Sequence, residues 1–238
     1  MATINQRAYS YWQSVFGFSD QPANDETVNL YIADTLPSRH SLLKLVRHDD
    51  KTFVAVTRPC ANQLSLTPES CLPDIESAMS AQNLIWYDDD AMHYFSDTDE
   101  QALLRSPNPT NIRQLTEDDA NVFDRFHARM PAEDWDEVEP ELDNEAVFGH
   151  FDQGELCSVA DYYRWQQTPF ADLGVITAPD CRGRGVGAAV VKALSAHALR
   201  RGLVPQYRAQ LSNLSSLKIS QRLGLQRFGL WTVAVAKT

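Results

Sequence analysis

The apolar positions of this chain repeat with a period of 3.6 in some stretches and 2 in others, and the order of these stretches predicts most of its elements. Residues 5–16 put Tyr9, Trp12, Val15 and Phe16 on one helical face. Residues 42–46 and 52–57 read as strands around the polar turn His48-Asp49-Asp50-Lys51. Thr67-Pro68-Glu69 carries a helix-start signature, and 73–79 reads as a helix. Residues 84–87 and 92–95 predict a second hairpin around Asp88-Asp89-Asp90, a solvated turn rather than a metal site. Ser106-Pro107-Asn108-Pro109 disfavours helix on both sides, so a domain boundary is expected there, dividing 1–107 from 108–238.

Beyond the prolines the pattern is denser. Residues 112–115 form a short strand, and Thr116 with Asp119 makes an N-terminal capping pattern before Val122, Phe123 and Phe126. An acidic stretch at 133–145 precedes a hairpin, 146–151 and 156–165, turning at Asp152-Gln153-Gly154. A strand around Leu173, Val175 and Ile176 stops at Pro179-Asp180. A helix over 186–201 turns Val190, Ala193, Leu194 and Ala198 inward and ends at Gly202. A strand at 204–210, a helix at 215–223 and a strand within 228–235 complete the chain.

Composition narrows the class. At 238 residues with 43% hydrophobic content, the chain is of ordinary globular make-up. It has no apolar run long enough to span a membrane and opens with no secretion signal, so a cytoplasmic protein without a membrane partner is expected. The four cysteines show no C-x-x-C pairing, which predicts reduced thiols, and the six scattered histidines predict no metal site. Charge is uneven. From Cys181 onward there are ten Lys or Arg and no Asp or Glu, a balance of +10; the rest holds 21 − 10 = 11 basic and 32 acidic residues, a balance of −21. A basic end suits a polyanionic ligand, while the overall charge of −11 argues against nucleic acid.

The candidate chemistry lies where that basic end begins. Arg182-Gly183-Arg184-Gly185-Val186-Gly187 joins a strand to a helix. Glycines at alternate positions let the backbone approach a ligand, and the following helix offers free N–H groups and a positive dipole end, which together suit a phosphate or pyrophosphate. The spacing is not that of a dinucleotide fold or of a nucleotide-triphosphate loop.

Arg182-x-x-Gly185-x-Gly187 resembles the coenzyme A loop of the GNAT acetyltransferase superfamily. The stretch SNLSSLKISQRLGL, with Asn213, Ser216, Ile219 and Gly224-Leu225, resembles the helix that follows in that family. The resemblance covers 111–238. It implies a mixed α/β (α+β) fold, a mostly antiparallel sheet flanked by helices, preceded here by a smaller N-terminal α/β domain that is either a degenerate copy or a wall of the substrate pocket. It implies acetyl-CoA as co-substrate. The backbone of Val175, Ile176 and Thr177 would pair with the pantetheine arm. The N–H groups of Arg182, Gly183, Arg184, Gly185, Val186, Gly187 and Ala188 would hold the pyrophosphate, and Asn213 and Ser216 would lie beside the sulfur.

Two departures from the family pattern bear on catalysis. Ser220 stands where many members have a tyrosine that protonates the leaving thiolate. Where many have a glutamate base, the strand has Ala171, with Asp172 adjacent. Regular alternation would turn Asp172 away from the site; a bulge would bring it back. Asp172 and Ser220 are thus the candidate catalytic residues. Segment 133–145 has eight carboxylates and no cation, which reads either as a solvated face or as an acceptor wall that attracts a cationic amine; Glu137 is its candidate contact. Tyr162 and Tyr163 fall on opposite faces of their strand, Trp165 with Tyr163, and Tyr163 is the candidate for the pocket. The expected function is direct acetyl transfer from acetyl-CoA to a small-molecule primary amine by a monomer or homodimer. Alternatives are a non-catalytic acyl-CoA sensor and an acetyltransferase of protein N-termini or lysines.

Overall fold

A computed structural model of the chain describes residues 5–17, 28–36, 40–47, 49–164 and 168–237. In chain order the elements are α1 (Gln6–Phe16), β1 (Asn29–Ala33), β2 (Leu42–Arg47), β3 (Thr52–Thr57), α2 (Arg58–Gln63), α3 (Leu72–Ala81), β4 (Leu84–Trp86), β5 (Asp90–Tyr94) and α4 (Asp97–Arg105). There follow β6 (Ile112–Gln114), α5 (Ala120–His127), α6 (Ala132–Val138), β7 (Ala146–Asp152), β8 (Glu155–Arg164), β9 (Phe170–Thr177), α7 (Val186–Arg200), β10 (Val204–Gln210), α8 (Leu214–Arg222) and β11 (Gln226–Ala236). The result is a mixed α/β protein with mostly antiparallel pairing and flanking helices. No helix among the described residues is long and apolar enough to cross a membrane.

Two compact units divide the chain. One comprises Ile4–His93, Ala209–Asn213 and Arg227–Thr238; the other is built mainly from Tyr94–Arg208 and Leu214–Gln226. The units therefore part before α4, and the proline stretch at 106–109 lies inside the second of them. The reason is packing: Phe95 and Leu103, at and within α4, bury against Ala196 and Leu199 of α7, beside Leu223 and Leu225. β11, at the far end of the chain, returns to the first unit.

In the first unit the strand order is β1-β3-β2-β11-β5. β1 runs parallel to β3, and β2 pairs antiparallel with both β3 and β11. The hairpin β2–β3 agrees with the sequence pattern, although His48 of its turn lies outside the described residues. The second hairpin does not form. β4 pairs with β11 instead, Ile85 opposite Val235, so the three aspartates join strands that are not partners. The helix expected to start at Thr67 is absent; Thr67 N–H is held by the Ser70 hydroxyl in a turn. The helix forms earlier, as α2, with a proline in its first turn where the missing N–H costs nothing. β1 was not foreseen.

The second unit carries the sheet β10-β9-β8-β7-β6. β6, β7, β8 and β9 are antiparallel to their neighbours, and β9 is parallel to β10. The β7–β8 turn places Gln153 and Gly154 at positive φ, 51° and 88°, as a tight hairpin requires. The Thr116–Asp119 capping box forms as expected. α7 lies on one face of the sheet with Val190, Val191, Leu194 and Ala198 fully buried. α5 and α6 cover the other, Phe123, Phe126 and Trp135 packing with Val159 and Ile176.

One position tests the packing of the first unit. A Cβ on Gly229 of β11 would stand 2.6 Å from the carbonyl oxygen of Val46 on β2, a backbone atom that cannot turn aside. Gly229→Ala should destabilise the protein by roughly 1–3 kcal/mol, the usual cost of overpacking, measured as a lower urea midpoint.

Candidate active site

The backbone of the second unit builds a fork. β9 and β10 pair only at Phe170, Ala171 and Asp172, opposite Val204, Pro205 and Gln206. β9 continues to Thr177, paired on its other edge with β8. From Leu173 onward the edge of β9 toward β10 has no strand partner among the described residues. Val175, Ile176 and Thr177, the expected pantetheine contacts, lie on this free edge. Two of their carbonyls already accept side-chain bonds, Ile176 from the Ser158 hydroxyl at 2.9 Å and Thr177 from Arg182 Nε at 3.1 Å.

Beyond the tip of β9, the chain makes a short turn at Pro179–Cys181 and enters the glycine loop. Gly183 and Gly185 sit at φ 75° and 82°, the left-handed region that favours glycine, and Gly185 caps α7. The first N–H bond into the helix is donated by Ala189 to the Gly185 carbonyl. The N–H groups of Val186, Gly187 and Ala188 therefore form a free first turn. The three glycines differ in role. Space above Gly183 is open. A Cβ on Gly187 would stand 2.9 Å from Thr177 Oγ1 and 3.3 Å from Ile219 Cδ1, so this glycine lets α7 close onto β9 and α8.

The loop's own arginines face away from that role. Arg182 pairs with Asp134 of α6 at 2.6 Å, and Arg184 pairs with Asp152 at the β7–β8 turn. They brace the loop, which leaves the backbone N–H groups of 186–188 as the donors an anion there could meet. The side-chain cation at the loop is Arg222, which the sequence reading missed. Its guanidinium lies 2.4 Å from where a Gly185 Cβ would stand. Only the basic bias of the C-terminal segment hinted at it. An open, left-handed glycine cradle at a free helix N-terminus, with a guanidinium beside it, fits a pyrophosphate.

On α8, Ser216 hydrogen-bonds the hydroxyl of Tyr207, whose pKa burial pushes up to about 12. Ser220 is buried and donates to the Leu217 carbonyl at 2.8 Å, a bond within its own helix. Asn213 directly precedes α8 but belongs to the other compact unit.

Asp172 stands where β9 and β10 part, and it does not point into empty space. Arg208 reaches both of its oxygens, Tyr163 donates its hydroxyl at 2.6 Å and Gln206 donates Nε2 at 3.0 Å. Tyr94 in turn donates to Gln206 Oε1, which fixes the amide's orientation. Burial alone would raise the Asp172 pKa, but the Arg208 charge and these hydrogen bonds outweigh it and hold the carboxyl below its ordinary value. Such a group is a clamp and a poor base. Tyr163 keeps half its ring exposed, yet its hydroxyl is tied to Asp172. Burial, then the Asp172 charge, pushes its own pKa up. Trp165 and the side chain of Glu137 lie outside the described residues.

The same sheet face holds a second buried carboxylate that the sequence reading passed over. Asp161 of β8 is 6% exposed and pairs with Gly174 of β9. A Cβ at Gly174 would stand 2.8 Å from Asp161 Oδ1 and 3.1 Å from Val138 Cγ1 of α6. Asn144 donates to Asp161 Oδ2. Burial, aided by the nearby Glu141 charge, raises the Asp161 pKa to about 6 against the lowering effect of Asn144 and of its own backbone. A strand pattern cannot single out such a residue, because its neighbours come from β9, α6 and the 139–145 segment.

These two carboxylates should act on stability with opposite signs. Asp172, with its folded pKa depressed, stabilises above its unfolded value, and that contribution is lost as pH falls through the folded pKa. Asp161, with its folded pKa raised to about 6, is the reverse. The folded state keeps a proton that the unfolded state has lost, so stability falls as pH rises from about 4 to 6. Asp161→Asn should therefore be more stable than the wild type at pH 8, by on the order of 2 kcal/mol, with the gap closing toward pH 4 in denaturant titrations.

The sequence matches the family model described as GNAT acetyltransferase over residues 75–233. Among curated proteins, none matches the chain. A solved structure from Novosphingobium aromaticivorans, assigned to the GNAT acetyltransferases, is 19% identical over 71% of this chain and 83% of its own, with a TM-score of 0.45. A GNAT-family acetyltransferase from Colwellia psychrerythraea is 19% identical over 71% of this chain and 62% of its own, with a TM-score of 0.49. The family match spans more than half of the chain and contains the fork, the glycine loop and α8: the protein belongs to the GNAT acetyltransferase family.

Proposed function

We propose that the protein transfers an acetyl group from acetyl-CoA to a primary amine by direct attack. The observation that carries this reading is the glycine cradle at the free N-terminus of α7, set beyond the tip of a strand whose inner edge is unpaired. The N–H groups of 183–188 and Arg222 would hold the pyrophosphate, and the free edge of β9 would receive the pantetheine arm. The bound co-substrate would supply an activated thioester. An N–H of the β9 edge is suited to the oxyanion that develops at the acetyl carbonyl. With Ser220 tied to Leu217, the chain offers no tyrosine-like acid at that position; a thiol pKa near ~8.5 lets the sulfur leave as thiolate without one.

The acceptor reading follows from charge. In the acidic segment, Asp134 is held by Arg182 and Glu145 by Arg164, while Glu139 and Glu141 are exposed. Exposed carboxylates beside Val138, which itself borders Gly174, favour a cationic acceptor. The protein-directed reading and the non-catalytic sensor remain outcomes of the tests below.

Acetyl-CoA should raise the melting temperature, because a ligand bound to the folded state alone stabilises it by mass action. Gly185→Glu should abolish the rise and Arg222→Ala should reduce it. No rise at millimolar acetyl-CoA would refute the cofactor assignment, and binding without thioester consumption across an amine panel would leave a sensor. Amines with a second positive charge should show the higher kcat/KM, with the advantage shrinking in salt and lost in a Glu139→Lys, Glu141→Lys double variant.

A further inference from the structure

The proposed chemistry needs a group to take a proton from the amine, and Asp172, the residue the strand pattern offers, is occupied. Its carboxylate is shared among Arg208, Tyr163 and Gln206. Asp161 differs in each respect that matters. Among the described residues its carboxylate has one side-chain hydrogen bond, from Asn144 to Oδ2. Oδ1 lies over Gly174 and takes up room that a side chain there would need, a Cβ standing 2.8 Å from it. Gly174 is the residue before Val175, and β10 has already parted from β9 at this level.

We infer that Asp161 is the general base of the acetyl transfer, with Asn144 as its positioning residue. This rests on the acetyltransferase reading above. As the amine nitrogen attacks the acetyl carbon, the C–N bond forms and an N–H proton passes to the Asp161 carboxylate. The tetrahedral species then collapses, the C–S bond breaks and the sulfur leaves as thiolate. The proton on Asp161 returns to solvent before the next turnover.

The surroundings explain why this carboxylate suits the task. β7 presents Val147 opposite it, β9 presents Gly174 and α6 presents Val138, none of them charged. Glu141, from the segment after α6, is the charge that acts on it. Asp172, the next ionised group along this face of β9, is neutralised by Arg208. Among the described residues no cation holds Asp161 ionised at low pH, and burial raises its pKa to about 6. A base is most effective when its pKa lies near the working pH. Two carboxylates on one sheet face are thus driven apart, one to a permanent anion and one to a proton acceptor.

The test uses the full chain, acetyl-CoA and the best amine from the panel, following thiol release. Wild-type kcat should fall on the acid side with an apparent pKa near 6. Asp161→Asn should lower kcat by about a hundredfold or more and remove that limb, while the melting shift with acetyl-CoA stays the same. Because the same substitution is expected to stabilise the fold at pH 8, lost activity there cannot be laid to unfolding. Asn144→Ala removes a donor that holds the pKa down, so the limb should move to higher pH. An Asp161→Asn protein that keeps more than a tenth of kcat with an unchanged limb overturns the assignment and leaves the acetyltransferase reading standing. A wild type that binds acetyl-CoA but acetylates no amine overturns both.

Discussion

The ion pair between Asp172 and Arg208 is the interaction on which the site's shape depends. It bridges β9 and β10 at the last level where their backbones pair. Below it the strands are joined by hydrogen bonds; above it they separate and β9 shows an unpaired edge. A fork in a sheet exposes backbone groups that would otherwise be satisfied, and it needs a firm junction at its root. A buried carboxylate paired with a partly buried guanidinium is costly to desolvate, and the pair persists here because Tyr163 and Gln206 also donate to the carboxylate, Gln206 being oriented by Tyr94. The acidic residue nearest the predicted base position therefore serves the architecture.

The loop beyond the fork follows a related logic. Its arginines are spent on holding it in place, Arg182 against α6 and the Thr177 carbonyl, Arg184 against the β7–β8 turn. With the side chains so placed, the proposed pyrophosphate contact would fall to the backbone, whose N–H groups keep their directions without the entropy cost of ordering a long side chain. Arg222 of α8 sets an exposed guanidinium beside Gly185. An anion would thus meet a cradle braced by two ion pairs and, beside it, the Arg222 guanidinium.

Much of this was legible in the sequence. The glycine spacing, the helix behind it, the β7–β8 hairpin and the order helix–strand–helix–strand after Cys181 all follow from local periodicity and turn chemistry, and the structure agrees with them. The misreadings have a common cause. The Asp88–Asp90 turn looked like a hairpin because its flanks alternate, but β4 gains more by pairing with the far end of the chain, at β11. The proline stretch looked like a boundary, yet α4 is held across it by the apolar contacts of Phe95 and Leu103 with α7.

By itself the sequence determined the things that depend on neighbours along the chain. Backbone conformations that favour glycine, helix caps, strand periodicity and the loop's resemblance to a known cofactor site are all set within a few residues of one another. Tertiary structure alone decided the ionisation and roles of the two buried aspartates. Asp161 and Asp172 are eleven positions apart on adjacent strands, and nothing in their local sequence separates a clamp from a base. What separates them is which residues the sheet brings alongside: Arg208, Gln206 and Tyr163 around one, and Gly174, Val138 and Asn144 around the other. A carboxylate's pKa is set by burial and by the charges and donors within a few ångströms, and for both aspartates those arrive from distant parts of the chain.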